Sequence, residues 1–243
     1  MANWSDPRPA ASAFAPGRAG VRTEAYDAGL RQYMLSVYNY MASGVLLTGI
    51  VALLFAQSGL AAQVLQTPLR WLIILAPLAF IMVLSFGINR LSTGTAQLLF
   101  WLFATVMGLS MSSIFLVYSG QSIATTFFAS AAAFAGLSLW GYTTKRDLSG
   151  FGTFLIMGVV GLLVAMLINL FVQSTAFQLV ISGIGVLLFA GLTAYDTQRI
   201  KSMYDYVAGT DMMGKAVIMG ALSLYLDFVN LFQFLLSFMG SRE

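Results

Sequence analysis

The sequence predicts an all-α membrane protein with seven transmembrane helices, and three observations carry that prediction. Of 243 residues, 59% are hydrophobic and only 9% are charged, where a soluble domain carries about 25% charged residues. Mean hydropathy is +0.84. Apolar runs of the roughly 20 residues needed to cross a bilayer recur along almost the whole chain. In lipid, only helices and closed barrels satisfy their own backbone groups. These runs are continuous rather than alternating, so they are helices.

In chain order, residues 1–32 are rich in Pro, Ala, Gly and Arg and hold no apolar run. They read as a disordered tail and, lacking an apolar h-region, not as a signal peptide. A transmembrane domain over 33–243 follows, its apolar segments at 33–56, 69–90, 96–118, 121–143, 151–172, 177–199 and 216–239. Ser119-Gly120-Gln121 makes a tight hairpin of the third and fourth, and Gln173-Ser174-Thr175 joins the fifth and sixth in the same way. Pro77 removes a backbone donor inside the second segment. Small residues such as Gly108, Ser112, Gly185 and Gly191 allow close helix approach.

Lys and Arg placement sets the orientation. With the N-terminus inside, the inner segments hold ten basic residues: Arg8, Arg18, Arg22, Arg31, Arg90, Lys145, Arg146, Arg199, Lys201 and Lys215. The outer segments hold only Arg70 and Arg242. The expected N-terminus is therefore cytoplasmic and the C-terminus lies outside. These basic residues sit at loop ends rather than in a patch, so nucleic acid is not an expected partner.

The chain has no Cys and no His. That excludes disulfides, thiolate chemistry, zinc and haem sites, and histidine as a base or pH sensor. Carboxylates, amides, hydroxyls and arginine remain. No charged residue occurs between Leu91 and Thr144 or between Gly150 and Tyr195. Against that background Asp227 stands out near the middle of the last segment, and Asp196 near the inner end of the sixth. An Asp at a helix centre costs about 2.5–3.5 kcal/mol on insertion scales, so each is a functional candidate. Ser223, Asp227 and Asn230 fall at i, i+4 and i+7 and share one stripe. Two plain readings stand beside this. Asp227 can be a protonated acid that only glues helices, and Asp196 can be a polar group at a helix end.

The stretch GLTAYDTQRIK from Gly191 to Lys201, SLYLDFVNLF at 223–232 and GYTTKRDL at 141–148 resemble the transmembrane Bax inhibitor motif family, also called the Bax inhibitor-one family. The resemblance runs from the first apolar segment to the last, and the short loops look like the bacterial branch. It implies six helices around a central seventh, in a bacterial inner membrane. It also implies a calcium-leak activity regulated by pH, with an aspartate pair matching Asp196 and Asp227. The family's arginine latch matches Arg90, in Gly87-Ile-Asn-Arg90, a position that a plain positive-inside anchor explains equally well. Some bacterial relatives carry a further acid about eleven residues earlier, where this chain has Ala79.

Two carboxylates held together in a low dielectric cannot both ionise easily, so they share a proton. That gives a protein without histidine a way to respond to pH, with Arg90 favouring the ionised, closed pair. Calcium takes 6–8 oxygen ligands, and two aspartates with neighbouring hydroxyl, amide and carbonyl oxygens make only a weak, passable site. For the two aspartates to meet, either the seventh helix begins well outside the membrane, near Asp211, or the sixth bends; the polar stretch 201–215 favours the former. No cofactor is expected, and the lipid bilayer and calcium are the expected partners. A non-transporting regulator of a quality-control protease or of stress and cell-death machinery is the alternative. An intramembrane aspartyl protease is a remote one, because such enzymes place Gly-x-Gly before the second aspartate. Here residues 224–226 are Leu-Tyr-Leu.

Overall fold

The computed structural model describes residues 16–241, with the side chains of 24 and 26–241. Residues 1–15, with Arg8, lie outside this range, as does Arg242, and the side chains of Arg18 and Arg22 are not described. The described chain is helical: α1 (Pro16–Gln57), α2 (Leu60–Leu65), α3 (Leu69–Gly87), α4 (Thr93–Met111), α5 (Ile114–Val117), α6 (Gly120–Thr143), α7 (Ser149–Val172), α8 (Thr175–Val207) and α9 (Met213–Met239). Seven spans are long and apolar enough to cross a membrane, α4 and α5 together forming one of them. Their outer surface is what lipid demands, with Phe171 89% and Phe86 85% exposed.

Helix starts follow local chemistry. Ser92, Ser119 and Ser174 stand at N-caps, where each hydroxyl accepts a bond from the backbone N–H three residues on, at 3.2, 3.3 and 3.2 Å. At the start of α7, Asp147 accepts from the Ser149 N–H at 2.9 Å, and the Ser149 hydroxyl together with this backbone bond holds its carboxyl below the usual carboxylate range. Gly209, at φ 73, turns the chain between α8 and α9 in the left-handed conformation that only glycine takes without strain.

Three helices run past the apolar segments. Of the tail expected over 1–32, the part from Pro16 onward is helical and continuous with the first span. Proline is tolerated at a first helical turn, where its missing N–H has no partner anyway. The sixth segment, expected to end at 199, continues as helix to Val207, and the seventh begins at Met213 rather than 216. The extra turns are amphipathic. Leu30 of α1 is buried beside Tyr33 and Met34 of the first apolar segment, and Ile200 and Tyr204 of α8 are buried too. Tyr26 and Tyr33 set their rings 5.3 and 5.5 Å from that of Tyr204, and the Tyr26 hydroxyl bonds to Asp205. Helical periodicity therefore continues beyond the point where charged residues end the apolar run.

The core gathers around α9. Of its most apolar window 67% is buried in protein, against at most 33% for any other span. It packs mainly against α8, α1, α6 and α4, while α3 rests on α4 and α7 on α8. Direct contact is thus concentrated in four neighbours, and α3 and α7 form an outer layer. Aromatic rings fill the centre: Phe100 and Phe103 meet Tyr225 edge-on at 6.3 and 5.1 Å, and Phe134 meets Phe228 at 5.6 Å.

Candidate functional site

The site lies where α8 crosses α9. Two glycines bring neighbouring helices close to the segment of α8 that carries Asp196. A methyl group at Gly141 of α6 would sit 2.9 Å from the Ala194 Cα, and one at Gly152 of α7 would sit 2.8 Å from the Tyr195 hydroxyl. Both distances are too short for a Cβ, so only glycine lets α6 and α7 approach here. Gln198 adds polar clamps, accepting from the Leu148 N–H at 2.9 Å and donating to the Arg146 carbonyl at 2.8 Å. The backbone around Asp196 is therefore held from two sides.

The structure brings Asp196 and Asp227 together as neighbours whose carboxyl groups interact across the α8–α9 seam. Asp196 is half-buried, and Asp227 is 4% exposed. Asp196 lies eleven residues before the end of α8 and Asp227 fourteen residues after the start of α9, depths of about 16 and 21 Å at 1.5 Å per residue. The added turns of both helices make those depths comparable. Among the described residues no donor faces the Asp227 Oδ2. A contact between two carboxyl groups needs one proton, since two bare carboxylates would repel at this separation.

A cavity of about 310 Å³ leads to Asp196 from the end of the bundle that holds the α3–α4 and α8–α9 turns. This end carries Arg90, Arg199, Lys201 and Lys215 and is called here the basic end. Asn89, Arg199, Lys215 and Ser223 line the cavity with Asp196. Lys215 donates to the Asn89 carbonyl at 3.5 Å, which ties α9 to the α3–α4 turn over the cavity mouth. Beyond the pair the seam closes. Phe189 and Phe234 lie seven residues from Asp196 and Asp227 respectively, and their rings stack at 5.7 Å. Seven helical residues are about 10 Å, so an apolar plug stands two turns past the carboxyls.

The remaining candidates separate. Ser223 lines the cavity, but the Asn230 amide donates to the Leu226 carbonyl of its own helix at 2.8 Å. Arg90 is exposed and, among the described residues, is not a charge that acts on either carboxyl. The guanidinium acting on Asp196 belongs to Arg199, three residues along the same helix. That spacing puts both side chains on one helix face, a signal that was available in the sequence. Tyr225 and Thr48 were not singled out either. Thr48 gives its proton to the Ala104 carbonyl at 2.8 Å, so the Tyr225 hydroxyl donates to Thr48, at 2.6 Å. This chain fastens α9 to α1 and α4 on the face away from the carboxyls. No group of three or more acids that would hold a metal ion occurs among the described residues.

Residues 30–243 match the family described as Inhibitor of apoptosis-promoting Bax1. An uncharacterised protein of Rickettsia prowazekii is 46% identical over 224 residues, covering 91% of this chain and 94% of that one. An uncharacterised protein of Caulobacter vibrioides is 48% identical over 231 residues, covering 89% and 91%. Inner membrane protein YbhL of Escherichia coli is 47% identical over 220 residues, covering 89% and 94%. Seven spans, a match that runs from within the first of them through the last and relatives of nearly the same length lead to one assignment: this multi-pass membrane protein belongs to the Bax inhibitor-1 family.

Proposed function

We propose that this protein is a pH-sensitive calcium-leak channel whose pathway follows the α8–α9 seam. The observation that carries the reading is the carboxyl pair standing where a cavity from the basic end stops. With one shared proton the pair keeps one negative charge, and Arg199 holds it. Taking up a second proton removes that charge, the guanidinium lets go, and the basic end of the seam loosens. Calcium then meets carboxyl oxygens, the Ser223 hydroxyl and water of the cavity. This is fewer protein ligands than the 6–8 oxygens it prefers, which suits passage better than storage. Arg199 takes the latch role in place of Arg90: both are exposed, but Arg199 is the charge that acts on Asp196.

The same reading places the protein in a bacterial inner membrane with its N-terminus and basic end in the cytoplasm. Ten of its twelve basic residues favour that orientation. Single cysteines at Lys145 and Gln121 should then label from opposite sides of the membrane. It is a non-enzymatic reading, in keeping with Leu-Tyr-Leu at 224–226 where an intramembrane aspartyl protease places Gly-x-Gly.

Calcium flux into liposomes containing only this protein tests the proposal. Flux should rise as pH falls, and Asp196→Asn should make it independent of pH. Liposomes without flux at any pH would overturn the channel. They would leave the second reading, a regulator acting through a membrane protein partner, which the family's description as an inhibitor of an apoptosis-promoting protein favours.

A further inference from the structure

Helices α1 and α6 both pack on α9 yet draw apart from each other, leaving a crevice of about 870 Å³ open to the bilayer. Its walls are apolar, with Leu35 and Leu46 on α1 and Phe134 and Leu139 on α6, and Phe228 of α9 forms the floor. From Arg31 to Leu46 the lining spans fifteen residues of α1, about 22 Å. One leaflet of a bilayer contributes about 15 Å of hydrocarbon, so the crevice takes an acyl chain at full depth.

Charge marks one end only. Arg31 lines the crevice at its basic end, exposed and without an ion pair among the described residues; the nearest acid along α1 is Asp27, one turn before it. Beside it, Tyr142 carries Lys201, whose ammonium sits 4.6 Å over the ring and donates to the Tyr142 carbonyl at 2.8 Å. Below Arg31 one polar rung lies along the floor of the crevice: the Tyr38 and Ser138 hydroxyls are 2.5 Å apart, and the buried Ser138 and Thr197 are 2.9 Å apart. The rung ends on the residue next to Asp196.

We infer that this crevice is a binding site for one anionic phospholipid, its phosphate at Arg31 and one acyl chain lying between α1 and α6 on Phe228. The apolar length selects a lipid over a soluble phosphate, and the Arg31 guanidinium at one end selects an anionic headgroup. A zwitterionic lipid offers the same chain but no net charge to the guanidinium. Each basic residue near such a surface adds about 1 kcal/mol of attraction, or about fivefold in binding. The assignment does not depend on ion conduction.

Native mass spectrometry of the full chain, purified and offered equal phosphatidylglycerol and phosphatidylcholine, tests it. One phosphatidylglycerol should remain bound per chain. Arg31→Ala should weaken its binding about fivefold and reduce the preference over phosphatidylcholine, and Arg31→Lys should restore most of both. Ala42→Trp, at an exposed position in the lining, should fill the crevice and prevent retention; Ala135→Trp does the same from α6 if the first variant fails to fold. Phosphatidylglycerol carrying a photoreactive acyl chain should label Leu35 or Leu139. Equal retention of both lipids by the unaltered chain would overturn the site, as would full retention by a folded tryptophan variant. A lipid-free dimer whose contact maps to Leu35 and Leu139 would assign the crevice to a second copy instead.

Discussion

Replacing Asp227 separates a functional pair from mere helix glue. At 4% exposure, its acid costs about 2.5–3.5 kcal/mol at a span centre. A hydrogen bond involving a charged partner returns about 1.5–3 kcal/mol. The two nearly cancel. Leucine has the same branched outline and removes both contributions at once, while Asp196 still borders the cavity and can take water there. Asp227→Leu should therefore change unfolding free energy by no more than about 1 kcal/mol, yet abolish the pH response of calcium flux. Asp227→Asn keeps shape and a donor toward Asp196, so its flux should persist at one level across pH. Unfolding in mixed micelles, followed by tryptophan fluorescence, gives the stability; dye-loaded liposomes give the flux. If Asp227→Leu costs about 3–5 kcal/mol, the amount lost when a structural buried pair is broken, the pair is a fastener and the gating argument fails.

The other predictions use neighbouring contacts. Phe234→Ala opens the plug stacked on Phe189 and should raise flux at every pH while leaving the pH midpoint in place, as the same liposome assay reads. Arg199→Ala should raise flux at high pH and Arg90→Ala should not; adding Arg199→Ala to Asp196→Asn should change little further, because the interaction is already gone. Thr48→Val leaves the Tyr225 hydroxyl buried without an acceptor and should cost about 1–3 kcal/mol, against about 0.5–1.5 kcal/mol for Tyr225→Phe. The double variant should cost less than the two losses added, a coupling that chemical unfolding measures directly.

Much of the fold was legible because lipid imposes one rule. Each span must be apolar for about 20 residues, and the seven runs stand out on that ground alone. Where the rule stops, the reading stopped with it. Residues 200–207 and 24–32 are charged at intervals, so they leave the apolar window, yet Leu30, Ile200 and Tyr204 lie buried on one face. An amphipathic extension at the water interface follows the helical period rather than mean hydropathy.

The site was legible in part for a related reason. An acid inside a span is costly, so Asp196 and Asp227 stand out without any structure, and the need of each for a partner points to the other. Arginine carries no such signal at a membrane edge, where an anchor and a counter-charge have the same sequence. Arg199 was counted among the anchors although it follows Asp196 at i+3, and Arg90 was singled out although it lies on a different helix end. The outcome at Arg90 turns on one residue of register. In the turn after α3, Asn89 lines the cavity and accepts from Lys215, while Arg90 is turned to solvent. Facing within a turn depends on its backbone angles rather than on a repeating period. Assigning a guanidinium to the carboxyls therefore required the packed helices, and the Arg199 and Arg90 variants above decide between the two.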